Sequence, residues 1–449
     1  MKMGDYNMET LMSTQAQPEM VEVLGIPATT ATDRTSRSIR AATIGSIIET
    51  YDWMIYTTFA VYFAKQFFPS ENSTASILAA FAVFAIGFFA RPIGGWLLGA
   101  FADRAGRRRG MMIGVWAMSA SSFIIAILPT YASIGIAAPI LMTLARVLQG
   151  LSVGGEYATA TLFLAESAPT HKRGYYSSFQ FLSVAGGILL ASGLALVLTH
   201  VLTKEEIEAW GWRIPFVLGG FSALIGVYMR SRMEETAAFE TARREGRVQK
   251  RSPIWCWVNY PRATFRLIGV TILGAFSFYI FVSYIPVYAI HQKHADPGTT
   301  FAAGTVCMVI FMIMQPLFGA LSDRIGRCPQ LIVFSLGYLI FLYPVVNSIH
   351  ASFMSILSVE LFGMLLYGLY TAVAPAVMVE LFPTEVRGVG IGSTYNLIVA
   401  LLGGTTPYLM TIANQSNNTR WFIAYVCLGA FLSLITYIRM PETRGIDLH

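Results

Sequence analysis

The sequence is poor in charged residues. Only 12% of its 449 residues are Asp, Glu, Lys or Arg, whereas a soluble globular domain carries about 25%. With 55% hydrophobic residues, this composition excludes a disordered protein and an ordinary cytosolic enzyme. The formal net charge of +6 does not indicate a nucleic-acid partner, because the basic residues stand in short clusters between long apolar runs.

Cysteine is scarce as well. The four cysteines are Cys256, Cys307, Cys328 and Cys427. Their spacing fits neither a metal site nor a disulfide framework, and we expect them to be buried as small apolar side chains. The sequence also lacks a metal-spaced His/Cys cluster, a nucleophile elbow and a phosphate-binding loop. We therefore expect a protein that is not an enzyme and that uses no metal or organic cofactor.

Long apolar runs make up most of the chain. A helix needs about 20 apolar residues to cross a bilayer, and the sequence contains twelve such runs. They lie at about 40–64, 76–101, 110–128, 136–166, 174–200, 211–230, 264–290, 299–320, 329–349, 353–380, 388–412 and 420–438. This pattern predicts an all-α membrane protein with twelve transmembrane helices.

The runs form two sets of six. We expect residues 39–230 and 264–440 to be two six-helix bundles, joined by a cytoplasmic central loop at 231–263. Residues 1–38 are predicted to be a disordered cytoplasmic tail and 441–449 a second cytoplasmic tail. Lys and Arg concentrate in the N-terminal flank, in loops 2–3 and 4–5, and in the central loop. The positive-inside rule therefore places both termini in the cytoplasm.

The two halves repeat each other. Residues 99–107 (GAFADRAGR) match 319–327 (GALSDRIGR), and residues 166–174 (ESAPTHKRG) match 380–388 (ELFPTEVRG). The Gly, Asp, Glu and Pro positions agree in the same order, so a chance likeness of two basic loops does not explain them. A parallel repeat of six spans predicts two bundles related by an axis along the membrane normal, with a site between them at mid-depth.

The repeated loops are predicted to form an inner gate. Glycine permits tight turns and close backbone contact, and Asp103 can accept hydrogen bonds from a helix N-terminus. Arg104 and Arg107 can pair with Glu166, which would close the inner face until the pairs separate. Charge that only sets topology is the alternative, but it accounts poorly for the acids. The candidate gate residues are Gly99, Asp103, Arg104, Gly106, Arg107, Glu166, Arg173, Asp323, Arg324, Arg327, Glu380 and Arg387.

Charged side chains inside the apolar runs are costly and indicate function. At 1.5 Å per residue, Asp52, Arg91 and Arg146 each lie roughly 18 Å from one face, so we expect them to meet near the midplane. Asp52 and Arg146 could form a fixed ion pair. We favour a titrating set, because buried pairs seldom add stability over apolar packing. Its proton-coupling members would be Asp52, Glu49 and Glu156, with Arg146 tuning them.

Arg91 is the candidate anchor for a substrate carboxylate. Its guanidinium offers a planar pair of donors and never loses its proton, although pairing with Asp52 or Glu49 remains the alternative. Further candidate substrate-binding residues are Gln180, Tyr279, Tyr284, Tyr367, Tyr395 and Asn396. Each of these could equally be an interhelical packing or hydrogen-bonding residue. Glu360 could be an outer-gate group, a second acid or an interhelical hydrogen-bonding residue.

The motifs resemble those of a known family. Gly-x-x-x-Asp-Arg-x-Gly-Arg-Arg at 99–108, with a weaker copy at 319–327, resembles the signature of the major facilitator superfamily. Residues 146–157 (RVLQGLSVGGEY), 91–95 (RPIGG) and 210–216 (WGWRIPF) resemble its metabolite–proton symporter branch. The resemblance implies a twelve-helix fold, alternating access, a bacterial inner membrane and proton-coupled uptake of small acids or zwitterions. It also favours Tyr279 and Tyr284 among the candidate binding residues.

We therefore expect a secondary active transporter that imports a small dicarboxylate, similar to 2-oxoglutarate, with protons as the coupling ion. Its partners would be a small organic acid and the lipid bilayer, and we expect a monomer. One alternative is a proton-coupled carrier of betaine or proline, whose site would pair an acid with an aromatic cage. Others are a carrier of citrate or shikimate, and a non-transporting nutrient sensor on the same scaffold.

Overall fold

The structure, a computed structural model, describes residues 31–71, 73–247, 252–415 and 419–448. Twelve long helices occupy the twelve apolar runs. They are α1 (Ala31–Phe67), α2 (Ser73–Ala105), α3 (Arg107–Ile127), α4 (Ala137–Glu166), α5 (Phe179–Val201), α6 (Arg213–Ser231), α7 (Pro261–Phe278), α8 (Pro297–Ile325), α9 (Arg327–Asn347), α10 (Phe353–Thr371), α11 (Arg387–Ile398) and α12 (Thr419–Arg439). Within the described residues, ten helical segments are long and apolar enough to cross a membrane, and α1 and α11 complete the twelve. The predicted all-α membrane fold is confirmed.

The two sets of six helices pack in the same way. In the first set α2 packs against α4 and α3 against α6, and in the second α8 packs against α10 and α9 against α12. The sets meet where α2 contacts α11 and where α5 contacts α8. A Cβ on Gly99 of α2 would collide with the carbonyl of Gly388, so glycine lets these two backbones touch. The packing is that of two parallel copies of one bundle.

Three helices are interrupted where the apolar runs predict continuous spans. After α7, a π-helical stretch Tyr279–Tyr284 precedes the helix Ile285–Lys293; α10 is followed by Ala374–Leu381; after α11 come a π-helical stretch Val399–Gly403 and the helix Thr406–Gln415. Irregular helical turns of this kind are frequent at functional sites. All three interruptions border the central cavity, which is lined by Tyr279, Tyr370 and Val399 among others.

The N-terminal boundary corrects one expectation. Helix α1 begins at Ala31, so residues 31–38 belong to a helix and not to a disordered tail. Residues 1–30 lie outside the described residues, and the predicted disorder there stays a prediction. The last residue of the predicted C-terminal tail, His449, also lies outside the described residues.

The central segment is also more ordered than a plain loop. It contains the helices Ala237–Arg244 and Pro253–Asn259, and α7 begins at Pro261. Thr236 and Ser252 cap the two short helices, because their side chains accept hydrogen bonds from backbone N–H groups of the first turn, a common helix-starting signal. Residues 248–251 of this segment lie outside the described residues.

Candidate functional site

A cavity of about 350 Å³ lies between the two bundles. Side chains of α1, α2, α4 and α5 form one wall, and side chains of α7, α10, α11 and their π-helical continuations form the other. Ten of the lining side chains are aromatic: Trp53, Phe84, Phe88, Tyr157, Phe181, Phe278, Tyr279, Tyr367, Tyr370 and Tyr395. The volume is typical of a site for a small molecule.

Arg91, on α2, is the one Lys or Arg among the lining residues of the described structure. Its guanidinium carbon lies 4.8 Å from the centroid of the Phe88 ring. Its Nε is buried and has no hydrogen-bond partner among the described residues. Gln180, on α5, lines the same cavity, and its amide oxygen is likewise without a partner there. The cavity therefore holds polar groups that a ligand could satisfy.

Two acids also line this cavity and form the first charged cluster. Glu49 on α1 and Glu156 on α4 are 7% and 2% exposed, and the charge of Glu156 acts on Glu49. Arg230, at the end of α6, forms a fully buried ion pair with Glu156. The first charged cluster therefore holds two carboxyl groups against one guanidinium.

A second charged cluster lies outside the cavity lining. Asp52 and Arg146 are both 0% exposed. The Asp52 carboxyl lies against the Ser122 hydroxyl of α3, and in the described part of the chain no ion pair joins it to Arg146. Arg146 instead donates to the side chain of Gln149, and its guanidinium carbon lies 4.2 Å from the centroid of the Trp53 ring. The fixed Asp52–Arg146 ion pair is thus not formed.

The single cluster of three charges expected near the midplane is corrected to two clusters. Asp52 and Arg146 belong to the second, whereas Arg91 lies at the cavity with Glu49. Glu49 and Asp52 are three positions apart on α1, so their side chains point about 60° apart around the helix. That rotation directs Glu49 to the cavity and Asp52 towards Ser122 and α6.

Two candidate substrate-binding residues do not line the central cavity. Tyr284 lines a smaller void with Leu342 and Met410, because the π-helical turns before it carry its side chain off the cavity face. The Asn396 amide donates to the carbonyls of Gly154 (2.9 Å) and Gly392 (2.7 Å), which makes it an interhelical hydrogen-bonding residue. The other candidates, Arg91, Gln180, Tyr279, Tyr367 and Tyr395, all line the cavity.

At one end of the molecule, named here the ion-pair face, the loop between α2 and α3 meets α11. Asp103 accepts hydrogen bonds from the N–H groups of Gly388–Val389 at 2.9 and 2.8 Å and from Arg107 at 2.8 Å. Glu166, at the end of α4, pairs with Arg107 at 3.4 Å and with Arg387 at 3.1 Å. The Glu166–Arg387 pair joins the two bundles.

The second bundle repeats this arrangement. Asp323 accepts hydrogen bonds from the N–H groups of Gly174–Tyr175, both at 2.8 Å, and from Arg327 at 2.8 Å. Glu380 pairs with Arg327 at 3.5 Å and with Arg173 at 2.8 Å. The ion-pair face is therefore closed by two equivalent sets of contacts, each crossing between the bundles.

Two candidate gate residues do not take part. The exposed Arg104 donates to the carbonyl of Ala100 in its own helix at 3.3 Å, and the exposed Arg324 forms no ion pair within the described ranges. Each follows an Asp by one position, which turns its side chain about 100° away around the helix. Gly106 and Gly326 end these helices with φ of 105° and 102°, values that favour glycine.

The sequence of the chain is similar to those of known membrane transporters. The profile of the Major Facilitator Superfamily matches residues 42–407. The chain belongs to this superfamily. It is 36% identical to the alpha-ketoglutarate permease of Escherichia coli, over 92% of this chain and 95% of that protein. It is 32% identical to a proline/betaine transporter of Salmonella typhimurium, over 92% and 84% of the two chains.

Solved structures share the architecture. A proton–xylose symporter of the superfamily, bound to 6-bromo-6-deoxy-D-glucose, has a TM-score of 0.71 over 93% of this chain and 98% of its own, with 19% identity. The predicted membership of the superfamily is confirmed. The protein is thus a multi-pass membrane transporter of small organic substrates and not an enzyme.

Two residues of the ion-pair face were not predicted. Glu235, after α6, accepts from the first N–H groups of α3 at 2.9 and 3.2 Å. Glu442, after α12, accepts from the first N–H groups of α9 at 2.8 and 3.0 Å. Both carboxylates sit where a helix N-terminus attracts negative charge. Residues 233–236 (MEET) and 440–443 (MPET) form a third internal repeat, which is the signal that could have found them.

Sequence reasoning also missed Arg230 and Tyr157. Arg230 stands at the end of an apolar run, where a basic residue ordinarily sets topology, yet its side chain turns inward to Glu156. Tyr157 stacks on Tyr395 with ring centroids 4.0 Å apart. Tyr157 is the last residue of the 146–157 motif, but no pattern in the sequence pairs it with Tyr395, or Arg230 with Glu156.

Proposed function

We propose that the protein is a secondary active transporter that imports a small dicarboxylate, similar to 2-oxoglutarate, together with protons by alternating access. The proposal rests chiefly on Arg91, a half-buried side chain at the wall of a cavity between the two bundles, whose Nε is buried without a hydrogen-bond partner among the described residues. One substrate carboxylate would bind Arg91 through charge-assisted hydrogen bonds. The likeness to an alpha-ketoglutarate permease supports a dicarboxylate.

The rest of the substrate would be held by neutral donors. Gln180, Tyr279, Tyr367 and Tyr395 line the cavity around Arg91, and their amide and hydroxyl groups can donate to a second carboxylate or to a keto oxygen. The cavity lining holds one guanidinium and two acids. A bound dianion would add to the negative charge of these acids, and protons taken up with it would balance that charge. The coupling to protons and the choice of substrate are therefore linked.

Asp52 is our candidate for the coupling proton. Burial favours the neutral form of a carboxyl group and a nearby guanidinium favours the ionised form, so a change in the distance between Asp52 and Arg146 would load or release a proton. The absence of an ion pair between them in the described residues supports a group that is able to titrate. Glu49 and Glu156 are proposed as further proton-coupling groups.

The ion-pair face would be the inner gate and would face the cytoplasm. The loops at this face are the richest in Lys and Arg, which supports that orientation under the positive-inside rule. Both termini would then be cytoplasmic, and bacterial relatives support a cell membrane of that type. The bundles would alternate between contact at this face and contact at the opposite one.

A zwitterion such as betaine or proline is the second candidate substrate. The ten aromatic lining residues could surround a cationic group, while Arg91 binds the carboxylate and Glu49 balances the charge. The likeness to a proline/betaine transporter favours the same alternative. A direct comparison of substrates decides between the two.

The test is uptake into proteoliposomes. We expect labelled 2-oxoglutarate to accumulate only under an inward proton gradient, and an excess of unlabelled 2-oxoglutarate to compete better than betaine, proline, citrate or shikimate. Asp52→Asn should lower gradient-driven accumulation while counterflow exchange survives. Uptake that ignores the gradient would refute symport, and stronger competition by betaine would favour the zwitterion. Transport of none of these solutes would favour the nutrient sensor.

A further inference from the structure

The two charged clusters of the first bundle share no side chain. The first consists of Glu49, Glu156 and Arg230, and the second is built around Asp52 and Arg146. Glu49 and Glu156 line the cavity, whereas Asp52 does not. Two acids one helical turn apart on α1 therefore contact different partners, in directions about 60° apart around that helix.

The first charged cluster has one carboxyl group more than it has guanidinium groups. Two buried carboxyl groups beside a single guanidinium cannot both be ionised without strong repulsion, so one of them has to carry a proton. The charged groups that act on Glu49 are Glu156, Arg230 and Arg91, and Asp52 lies one turn away. Arg230 neutralises one carboxylate through its contact with Glu156, which leaves one carboxyl to carry the proton.

Arg230 is fixed in this role by its surroundings. It is 0% exposed, it donates to the carbonyl of Met111 on α3 at 3.2 Å, and its guanidinium packs against Gly45 of α1, where a Cβ would collide with it. The guanidinium is therefore held behind Glu156, on the side away from the cavity. Glu49 and Glu156 themselves line the cavity, so a proton bound by either carboxyl group can exchange through it.

We propose that the Glu49–Glu156 pair, held by Arg230, is a second proton-binding site that works independently of Asp52, so that two protons accompany each substrate molecule. This inference rests on the proposed function as a proton symporter. The competing arrangement is a relay, in which one proton passes from Asp52 to Glu49 and both groups serve a single transfer. The two arrangements differ in the number of protons per substrate.

The test is the accumulation plateau of labelled substrate in proteoliposomes at a pH difference of one unit, with the membrane potential held at zero by potassium and valinomycin. Two coupled protons give a plateau ratio of about 100, and one gives about 10, because each proton contributes a factor of about ten. We expect about 100 for the wild type and about 10 for Glu49→Gln and for Asp52→Asn. Glu49→Asp should stay near 100.

Glu205→Gln is the control. Glu205 is an exposed acid of the same bundle, in the short helix Lys204–Glu206 between α5 and α6, and its replacement should leave the ratio unchanged. A wild-type ratio of about 10 would overturn the second site and leave the symporter intact, whether or not any variant folds. Loss of all accumulation in Glu49→Gln, with counterflow retained, would establish the relay instead. A wild type that does not respond to the gradient would refute the proposed function itself.

Discussion

Tyr157 on α4 and Tyr395 on α11 stack in parallel across the boundary between the two bundles, with ring centroids 4.0 Å apart and an angle of 5° between the rings. Both rings line the cavity. Tyr395 lies eight positions after Arg387, so the stack is about 12 Å along α11 from the ion-pair face. The stack must separate if the bundles part at that face, and it therefore favours the closed arrangement.

Replacing Tyr395 by Ala should weaken closure of the ion-pair face. An aromatic pair contributes about 0.5–1.5 kcal/mol beyond its buried area, so the equilibrium should shift by up to roughly tenfold towards the open arrangement. The measurement is the reactivity of a cysteine at Val153, a cavity-lining position, towards an impermeant maleimide added at the ion-pair face. Tyr395→Phe keeps the ring and should react at the parent rate. Equal rates for Ala and Phe would show that the stack has no such role.

The loop between α2 and α3 offers a matched pair of arginines. Arg107 is 0% exposed and contacts Asp103, Glu166 and the carbonyl of Thr384. Arg104 is exposed and, among the residues that the structure describes, bonds only to its own helix. Removing one partner of a buried ion pair costs about 3–5 kcal/mol. We expect Arg107→Gln to raise labelling of the cysteine at Val153 by roughly tenfold or more.

Arg104→Gln removes the same charge from the same loop and should change the labelling rate less than twofold, a difference of about 0.4 kcal/mol. Equal effects of the two substitutions would mean that the loop acts through its net charge and not through the contacts of Arg107. A rise in labelling with Arg104→Gln alone would contradict the closed network described for the ion-pair face.

Sequence patterns could reveal the fold and the contacts at the ion-pair face because both follow from the backbone. Twelve apolar runs fix the helices, and the repeat places Asp103 and Asp323 at equivalent helix ends. The contacts that a side chain makes across a helix interface were harder to predict from the sequence. A rotation of about 60° separates Glu49 from Asp52, and π-helical turns move Tyr284 off the cavity.

The direction in which a long side chain extends could not be predicted from the sequence either. Arg230 looks like a topology-setting residue at the end of α6, yet it contacts Glu156 deep inside the bundle. Nothing in one sequence tells whether a long basic side chain extends to the bilayer surface or turns inward. The partner of Glu156 therefore came only from the structure.

Even the conservative replacement of Arg91 by lysine should weaken the binding of a substrate carboxylate. Charge-assisted hydrogen bonds contribute about 1.5–3 kcal/mol each, and lysine cannot reproduce the planar fork. We expect Arg91→Lys to weaken substrate binding by roughly 10- to 100-fold, measured as the concentration of 2-oxoglutarate that half-saturates counterflow. Arg213→Lys is the control. Arg213 donates to the carbonyls of Ala126 and Leu128 at the C-terminal end of α3, and it is not among the residues that line the cavity. Wild-type affinity in Arg91→Lys would refute the anchor.

Folding changes the pKa values of the equivalent carboxyl groups Glu235 and Glu442 in opposite directions. Burial raises the pKa of Glu235 above its ordinary value, and the N–H groups of Thr236, Arg107 and Arg108 offset only part of this. Burial acts in the same direction on Glu442, but it is outweighed there by the N–H groups of Arg327, Arg444 and Cys328, which lower the pKa of Glu442. Folding therefore favours the protonated form of Glu235 and the ionised form of Glu442.

The two carboxylates should therefore give stability profiles of opposite slope against pH. A lowered pKa contributes stability that is present above the ordinary value, about 4.3, and is lost as the pH falls through the folded value. Glu442→Gln should accordingly lower the Tm of the purified protein most near neutral pH and least in acid.

Glu235→Gln should show the opposite trend. A raised pKa favours the neutral form of the carboxyl group, which glutamine resembles. The Tm of Glu235→Gln relative to the wild type should therefore be highest near neutral pH, where the native carboxylate is ionised. Thermal unfolding in detergent from about pH 3 to pH 8, a range that begins well below the ordinary glutamate pKa of about 4.3, tests this. Parallel profiles for the two variants would show that both carboxylates cap their helices with the same charge state.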